Sequence, residues 1–431
     1  MFLLHVLLPW MSLLYLTHAS SLHIYDAPSS HPAGWTITTT RADPTAILSL
    51  HFLLRPNNVP KLLNILEETS EPLSAKYGQH LSLDEVVALT RPTPEAWDTV
   101  HSYLLQGSSS SKSTIDTMTS DIVAYETTVA NAEKLLGCEY FEHLHVPTGT
   151  IALRTTSYSL PSSVAQHVSA VTPTVSLYTI SKKIKSRSPT RPLELLNIPS
   201  TLRTLYGVNE TQATTGMAKQ AVTGFIQQLY SELDFSEFQK LYVNASQLNY
   251  TLNISQLTCV GDDASPSLLG GTEAMLDAEY ITALGANITT EFWGFKGNGN
   301  DPDLWLKWMM QVANTTDDIV PKVFSCSYGE DEYTMAEDYA TRVNLEFVKA
   351  GVRGISILVA SGKEKCSCIF FTSFVFLLFV LSFAFSFLFM KTDFASVESL
   401  PLPLVPLCLS SFLFLFLFLC LFLIKKKVTL V

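Results

Sequence analysis

Two acidic side chains, Glu273 and Asp277, form the motif in this sequence that is best suited to chemistry. They stand four residues apart, so a helix places both carboxylates on one side, where like charges destabilise it by roughly a few tenths of a kcal/mol. Their proximity also separates their titrations, which leaves one proton-accepting group beside a partner. The pair suits general-base work in acid, where a histidine would already be protonated. On spacing alone, a solvated helix face that carries two acids is the alternative.

The elements predicted around this pair form an α/β unit. A helix over 272–284, with Thr272 as N-cap and Gly285 as stop, carries both carboxylates. Farther along, a strand at 323–327, a helix at 333–352 and an apolar run at 355–360 predict a strand–helix–strand unit with a buried parallel sheet. An apolar helix is also predicted over 302–312.

The segment that opens this unit has apolar residues at helical spacing. Val222, Phe225, Ile226, Leu229 and Leu233 predict a helix. A second short helix is predicted from Asp234 to Tyr242, with Glu237 supporting an Asp234 cap.

The first part of the chain, about residues 30–178, predicts a smaller α+β unit. Alternation over 46–54 indicates a strand, and a helix is expected to start near Asn58. Ser82 and Glu85 have the spacing of a capping box, and Pro94 stands in the first turn of a further helix.

A basic, proline-bearing stretch at 181–192 joins the two units (SKKIKSRSPTRP). It has no apolar face, which is typical of an exposed linker open to proteolysis. Arg187 and Arg191 make maturation by cleavage the favoured interpretation. The alternative is a basic surface patch.

Several features indicate secretion. Residues 1–20 have the apolar core and small-residue end of a signal peptide, with an N-terminal membrane anchor as the alternative. Six acceptor sequons for N-glycosylation are present. They are Asn209, Asn244, Asn249, Asn253, Asn287 and Asn314. The expected location is therefore extracellular or an acidic vesicular compartment.

Composition excludes other classes of protein. The formal net charge of -11 leaves no basic stripe for binding a nucleic acid. Outside the C-terminal stretch, Cys138, Cys259 and Cys326 are too few and too scattered for a disulfide framework or a zinc site.

Several ordered motifs between residues 24 and 362 resemble the sedolisin, or serine-carboxyl peptidase, family, which includes tripeptidyl peptidases. Gly34-Trp35 and the segment 74–81 (SAKYGQHL) look like its activation domain, and 199–206 (PSTLRTLY) looks like the start of its mature enzyme. The other matching segments are Glu273 to Asp277 with Tyr280 and 285–287, then 327–329 with Glu332, then 360–362.

This resemblance implies a subtilisin-like fold, incomplete here, behind an activation domain, and a Ser-Glu-Asp triad. Glu273 would be the general base and Asp277 its partner, while a separate protonated Asp would donate to the oxyanion. Peptide or protein substrates, binding of the chain's own activation domain and a Ca²⁺ ion are implied as well. The implied divisions are a signal peptide at 1–20, an activation domain at 24–180, a linker at 181–195, and a partial peptidase domain at 196–362.

The match ends after Gly362. Lys363 stands where the family has its oxyanion Asp, and the printed sequence contains no Gly-Thr-Ser nucleophile motif and no family Ca²⁺ loop. No nucleophile and no metal ligand are therefore assigned, and Ser327 and Ser361 are not expected to serve as the nucleophile. The chain as printed is expected to be inactive.

An apolar tail over 363–431 replaces the family sequence. Its two runs, 369–390 and 404–424, are each long enough to span a bilayer, with three lysines at 425–427 to face the membrane surface. A membrane-tethered, non-catalytic pseudopeptidase that acts by binding or inhibition is the alternative function on this interpretation. The favoured interpretation is a translated pyrimidine-rich tract, such as a retained intron, because Phe, Leu, Ser and Pro share pyrimidine-rich codons.

Sequencing the transcript across the codons for Ser361 to Cys368 separates these two interpretations. We expect a spliced form that restores Asp after Gly362 and continues to a Gly-Thr-Ser motif. Finding only the present reading frame would contradict the retained-intron interpretation and favour the pseudopeptidase.

Overall fold

The structure is a computed structural model of the chain. It describes residues 21–107, 113–177, 181–182, 197–214, 219–226, 228–243, 250–264, 266–297, 304–330 and 334–360. The predicted signal peptide, most of the linker, Ser361, Gly362, Lys363 and the apolar tail lie outside the described residues.

The first unit is built around a four-stranded antiparallel sheet with the order β4-β5-β3-β9. Its strands are β1 (Leu22–Asp26), β2 (Trp35–Thr36), β3 (Ile47–Leu54), β4 (Thr114–Thr119), β5 (Ile122–Thr128), β6 (Phe141–His145), β7 (Thr150–Arg154), β8 (Ser157–Pro161) and β9 (Val168–Thr172). Its helices are α1 (Val59–Ser70), α2 (Leu83–Thr90), α3 (Pro94–Gly107), α4 (Val129–Leu136) and α5 (Ser162–Ala165).

Local sequence signals in this unit agree with the structure. The Ser82 hydroxyl accepts from the Glu85 amide at 3.3 Å, and the Glu85 carboxylate accepts from the Ser82 amide at 2.7 Å. This reciprocal pair is a complete capping box. Helix α1 follows Asn58, and α3 begins at Pro94, as predicted.

Strand β3 is buried on both faces, although its sequence alternates. One face packs against α3 and α4 in the core of the first unit. Leu53 on the other face belongs to the core of the second unit, where it lies with Tyr339 and Val343. The two units therefore share a continuous apolar contact across this sheet.

The second unit contains a five-stranded, all-parallel sheet with the order β12-β13-β11-β14-β16. Its strands are β11 (Gln220–Phe225), β12 (Leu257–Val260), β13 (Thr290–Phe295), β14 (Val323–Cys326) and β16 (Ser356–Val359). Its helices are α6 (Pro199–Leu205), α7 (Glu232–Phe238), α8 (Thr272–Leu284), α9 (Leu304–Ala313) and α10 (Glu337–Val352). The predicted α/β character is correct, while the subtilisin-like assignment and the domain boundaries stay predictions.

The helix predicted through Val222 to Leu233 is wrong. Residues 220–225 form β11, the central strand of the parallel sheet, and every residue of that strand is buried. A strand covered on both faces has a continuous apolar run, which helical spacing also fits. The next helix, α7, begins at Glu232 and is capped by Ser231, whose hydroxyl accepts from the Asp234 amide, so the predicted Asp234 cap is wrong as well.

A cluster of four buried charges joins the two units. Asp121 of the first unit accepts from Arg342 and Lys349 of α10, each at 2.6 Å. Glu346, also on α10, completes the cluster by contacting both cations. Burial alone would raise the pKa of Asp121, but the Arg342 and Lys349 charges outweigh it and hold that pKa below its usual value.

A second polar contact lies just beyond the C-terminal end of α10. The Asp317 carboxylate accepts from the Leu83 amide of the first unit at 2.6 Å and from Arg353 at 2.9 Å. The His80 ring packs against Gly354, where an added Cβ would approach it to 2.6 Å. Burial, with Lys322 nearby, lowers the pKa of His80.

The remaining sequence predictions concern sequons, thiols and membrane spans. Asn209, Asn253 and Asn314 are exposed, whereas Asn287 is half-buried; Asn244 and Asn249 lie outside the described residues. Cys138, Cys259 and Cys326 are free thiols. Within the part of the chain that the structure describes, no helix is both long enough and apolar enough to cross a membrane.

Replacing Asp121 by Asn is expected to destabilise the protein by about 3–5 kcal/mol at pH 7, because the change leaves two buried cations short of a partner. Below about pH 4 the difference should shrink, because Asp121 of the unfolded wild-type chain then takes up a proton while the lowered pKa keeps the folded carboxylate ionised to a lower pH. Thermal unfolding of both forms at pH 7 and pH 3 measures this.

Asp116→Asn, at an exposed position on β4, is the matched control. It should change stability by no more than about 0.5 kcal/mol at either pH. A destabilisation by Asp121→Asn that is equally large at both pH values would contradict the assigned charge state.

Candidate active site

The Glu273/Asp277 pair lies on α8 and faces the carboxyl end of β14. Glu273 is 4% exposed, and Asp277 is half-buried. Residues Cys326 to Tyr328, where β14 ends, lie near the pair, since both carboxylates help to raise the pKa values of Cys326 and Tyr328. The carboxyl ends of parallel strands are a common place for active sites.

Asp277 holds its proton more tightly than an ordinary aspartic acid. Burial raises its pKa to about 6, and a hydrogen bond from the Ser327 hydroxyl offsets part of that rise. Its Oδ2 atom is buried and has no hydrogen-bond partner among the described residues. At pH values below about 6, Asp277 is therefore mostly protonated.

A turn of two glycines leads into α8 and is fixed by α7 and by the loop that joins β11 to α7. The Gly270 amide donates to Asp234 at 3.1 Å, and the Gly271 amide donates to the Leu229 carbonyl at 2.8 Å. The Glu273 amide donates to the Gln228 side chain at 3.2 Å.

The two positions need glycine for steric reasons. A Cβ on Gly271 would lie 2.6 Å from the Gln228 side-chain oxygen, and a Cβ on Gly270 would lie 2.4 Å from Met275. The predicted N-cap is therefore wrong: Gly271 precedes the helix, Thr272 is its first residue, and Gln228 supplies the acceptor from outside.

A short piece of the connection between the two units lies beside this site. Strand β10 (Ser181–Lys182) pairs antiparallel with β15 (Tyr328–Gly329), which follows Ser327 directly. Adding an extended segment to a free strand edge is a general mode of peptide binding. The structure thus places an extended peptide of the chain itself next to the residue that contacts Asp277.

The structure brings together the two carboxylates that the sequence predicted and places Ser327 against Asp277. Sequence reasoning missed Gln228, Asp234 and Cys326. Gln228 and Asp234 lay in segments predicted as helix, and nothing in their spacing connects them to residues 270–273.

The described residues offer no ligand set for the Ca²⁺ ion that the family resemblance implies. No group of three or more His, Cys, Asp or Glu side chains that could hold a metal occurs in the described ranges.

The raised pKa of Asp277 predicts a pH-dependent effect of Asp277→Asn. In the unfolded chain the Asp277 carboxyl ionises near pH 3.9. As the pH rises from 3.9 to 6, the free energy of unfolding of the wild type therefore falls by up to about 3 kcal/mol, whereas that of the Asn variant has no such loss. Relative to wild type, the variant should therefore gain about that much stability between pH 3 and pH 7, as measured by thermal unfolding.

Asp98→Asn, at an exposed position on α3, is the control and should show no such gain. A stability difference between wild type and Asp277→Asn that stays constant from pH 3 to pH 7 would show that Asp277 ionises normally.

Comparison with known proteins matches both units. The family model described as Pro-kumamolisin, activation domain, matches residues 33–177. Tripeptidyl-peptidase 1 of Homo sapiens is 32% identical over 347 residues, which is 78% of this chain and 59% of that protein. The same enzyme of Canis lupus familiaris is 32% identical over 353 residues, 80% of this chain and 60% of that protein, and that of Mus musculus is 31% identical over 347 residues.

The chain thus spans about three-fifths of the length of these relatives. The first unit has the matching activation domain, and the identity extends through the unit that carries Glu273 and Asp277. The chain therefore belongs to the sedolisin family of serine-carboxyl peptidases.

Proposed function

We propose that this chain represents the precursor of a secreted, acid-acting serine-type peptidase that uses Glu273 and Asp277. The observation that carries the proposal is the burial of these two carboxyl groups on one face of α8, beside an extended segment of the chain. Such a pair can accept and hold a proton in acid, where imidazole cannot act as a base.

Within this proposal, Glu273 takes the proton from a serine hydroxyl, and Asp277 orients and polarises Glu273. The raised pKa of Asp277 supports this division, since a protonated Asp277 can donate to an ionised Glu273. Peptides or proteins are the proposed substrates, and tripeptidyl release and internal cleavage both fit this chemistry.

The serine and the oxyanion Asp belong to sequence that the family has beyond Gly362. Lys363 and the apolar tail follow that position here. We propose that the printed form is inactive and that a spliced form supplies the missing residues. A Ca²⁺ site is proposed for that form alone.

Peptidase assays on both forms test the proposal. The printed chain should release no product from an internally quenched peptide or from an N-terminal tripeptide amide between pH 3 and pH 6. In the spliced form, Glu273→Ala and Asp277→Ala should each lower kcat on the order of 10³-fold or more.

Glu237→Gln, which changes an exposed carboxylate on α7, is the control and should keep full activity. Peptidase activity of the printed chain would refute its proposed inactivity. Full activity of both alanine variants in the spliced form would refute the roles of the two carboxylates. Binding without hydrolysis by the printed chain would favour the pseudopeptidase.

A further inference from the structure

Helix α8 combines apolar packing along its length with polar contacts at its ends. Its buried face offers mostly small side chains, which pack in two apolar clusters. The buried residues are Glu273, Ala274, Met275, Ala278, Thr282 and Ala283. The position of the two carboxylates therefore depends in part on what holds the ends of the helix.

Arg203 binds the C-terminal end of α8. It is 0% exposed and lies on α6, the first helix after the linker. Its Nη1 donates to the carbonyls of Ala283 at 2.9 Å and Leu284 at 2.8 Å, the last two residues of α8. Its Nε and Nη2 donate to the carbonyls of Asn209 and Thr211.

Among the described residues this guanidinium makes no ion pair within 4 Å, although the Tyr250 hydroxyl and the Glu210 charge lie near enough to act on its pKa. Four backbone carbonyls surround it, two of them at the negative end of a helix, where a cation is stabilised. Arginine suits the position because its five donors form a fixed fork that satisfies several orphan carbonyls at once.

Two neighbouring hydrogen bonds also hold the C-terminal part of α8. The Gln220 side chain donates to the Ile281 carbonyl at 3.2 Å, and the Tyr280 hydroxyl donates to the Asn197 carbonyl at 2.9 Å. The N-terminal end of the helix is fixed by Gln228. Both ends of α8 are therefore attached to elements other than those that precede and follow it.

We infer that Arg203 is a positioning residue for Glu273 and Asp277, an inference that rests on the proposed function. Asp277 lies six residues from Ala283, about 9 Å along the axis. A rigid helix transmits a shift at its end to the carboxylates, and proton transfer tolerates misplacement of only about 0.5 Å. Maturation must accordingly cut the linker before Asn197, so that α6 stays attached to the peptidase unit.

The test follows the titration of Asp277 in the full chain, which needs no turnover. Aspartate labelled with ¹³C at its side-chain carboxyl reports each ionisation, and the spectrum of Asp277→Asn assigns the signal. In Arg203→Ala we expect the midpoint to move by at least half a pH unit from the wild-type value, because a displaced helix changes both the burial of Asp277 and its bond to Ser327.

Arg353→Ala is the matched control. Arg353 is also buried and donates to the carbonyls of Val312 and Thr315 at the end of α9, and none of its hydrogen bonds within the described residues reaches α8. It should destabilise the protein to a similar degree and leave the Asp277 midpoint unchanged.

The outcomes separate positioning from a structural role. A wild-type midpoint in a destabilised but folded Arg203→Ala protein overturns the inference, and so does an equal shift in Arg353→Ala. If Arg203→Ala does not fold, Arg203→Lys replaces it: an ammonium cannot reach all four carbonyls, so a smaller shift in the same experiment is expected, and no shift overturns the inference. Failure of the proposed function would appear separately, as a spliced form without peptidase activity.

Discussion

The burial of two acids on one helix is the constraint on which the rest of the second unit depends. A carboxylate taken out of water is unstable unless it is protonated or hydrogen-bonded, and Asp277 meets this condition through its raised pKa and its hydrogen bond with Ser327. The glycine turn, the Gln228 contact and the Arg203 contact each fix one end of the helix that carries the pair. The parallel sheet supplies the rigid surface on which this helix packs.

Helix α10 has a comparable role between the units. Its length of 16 residues carries Arg342, Glu346 and Lys349 toward Asp121, while its apolar residues meet the second face of the antiparallel sheet. A buried ion cluster adds little to stability compared with an apolar core of equal volume, but it is intolerant of a missing partner. It therefore selects one way of docking the two units. His80, Asp121 and Asp317 all have lowered pKa values, so acid weakens this docking: the His80 contribution is lost below about pH 6.5, and the two aspartate contributions are lost as the pH falls below about 4.

The features that could be predicted from the sequence are those that depend on residues close together in the chain. The Ser82 capping box, the bounds of α8 and the shared face of Glu273 and Asp277 all follow from spacings of three or four residues. The strand–helix–strand order around α10 was also accessible, because its last strand is a continuous apolar run.

Contacts between residues far apart in the chain could not be predicted from the sequence. Strand β11 was predicted as a helix because burial on both faces erases the alternation that marks a strand. Arg203 and Ala283 are 80 residues apart, and Asp121 and Arg342 are 221 apart, so no local pattern connects them. The polar side chains that position the site were therefore found only once the fold was known.

The pairing of β10 with β15 has a kinetic consequence. Ser181 and Lys182 belong to the same polypeptide as the strand they cover, so the effective concentration of this covering peptide is on the order of millimolar whatever the protein concentration. Cutting the linker after Lys182 makes the contact bimolecular. From then on, coverage of the site depends on dilution, and the protein concentration in the surrounding compartment decides what fraction of the molecules have the edge beside Ser327 occupied.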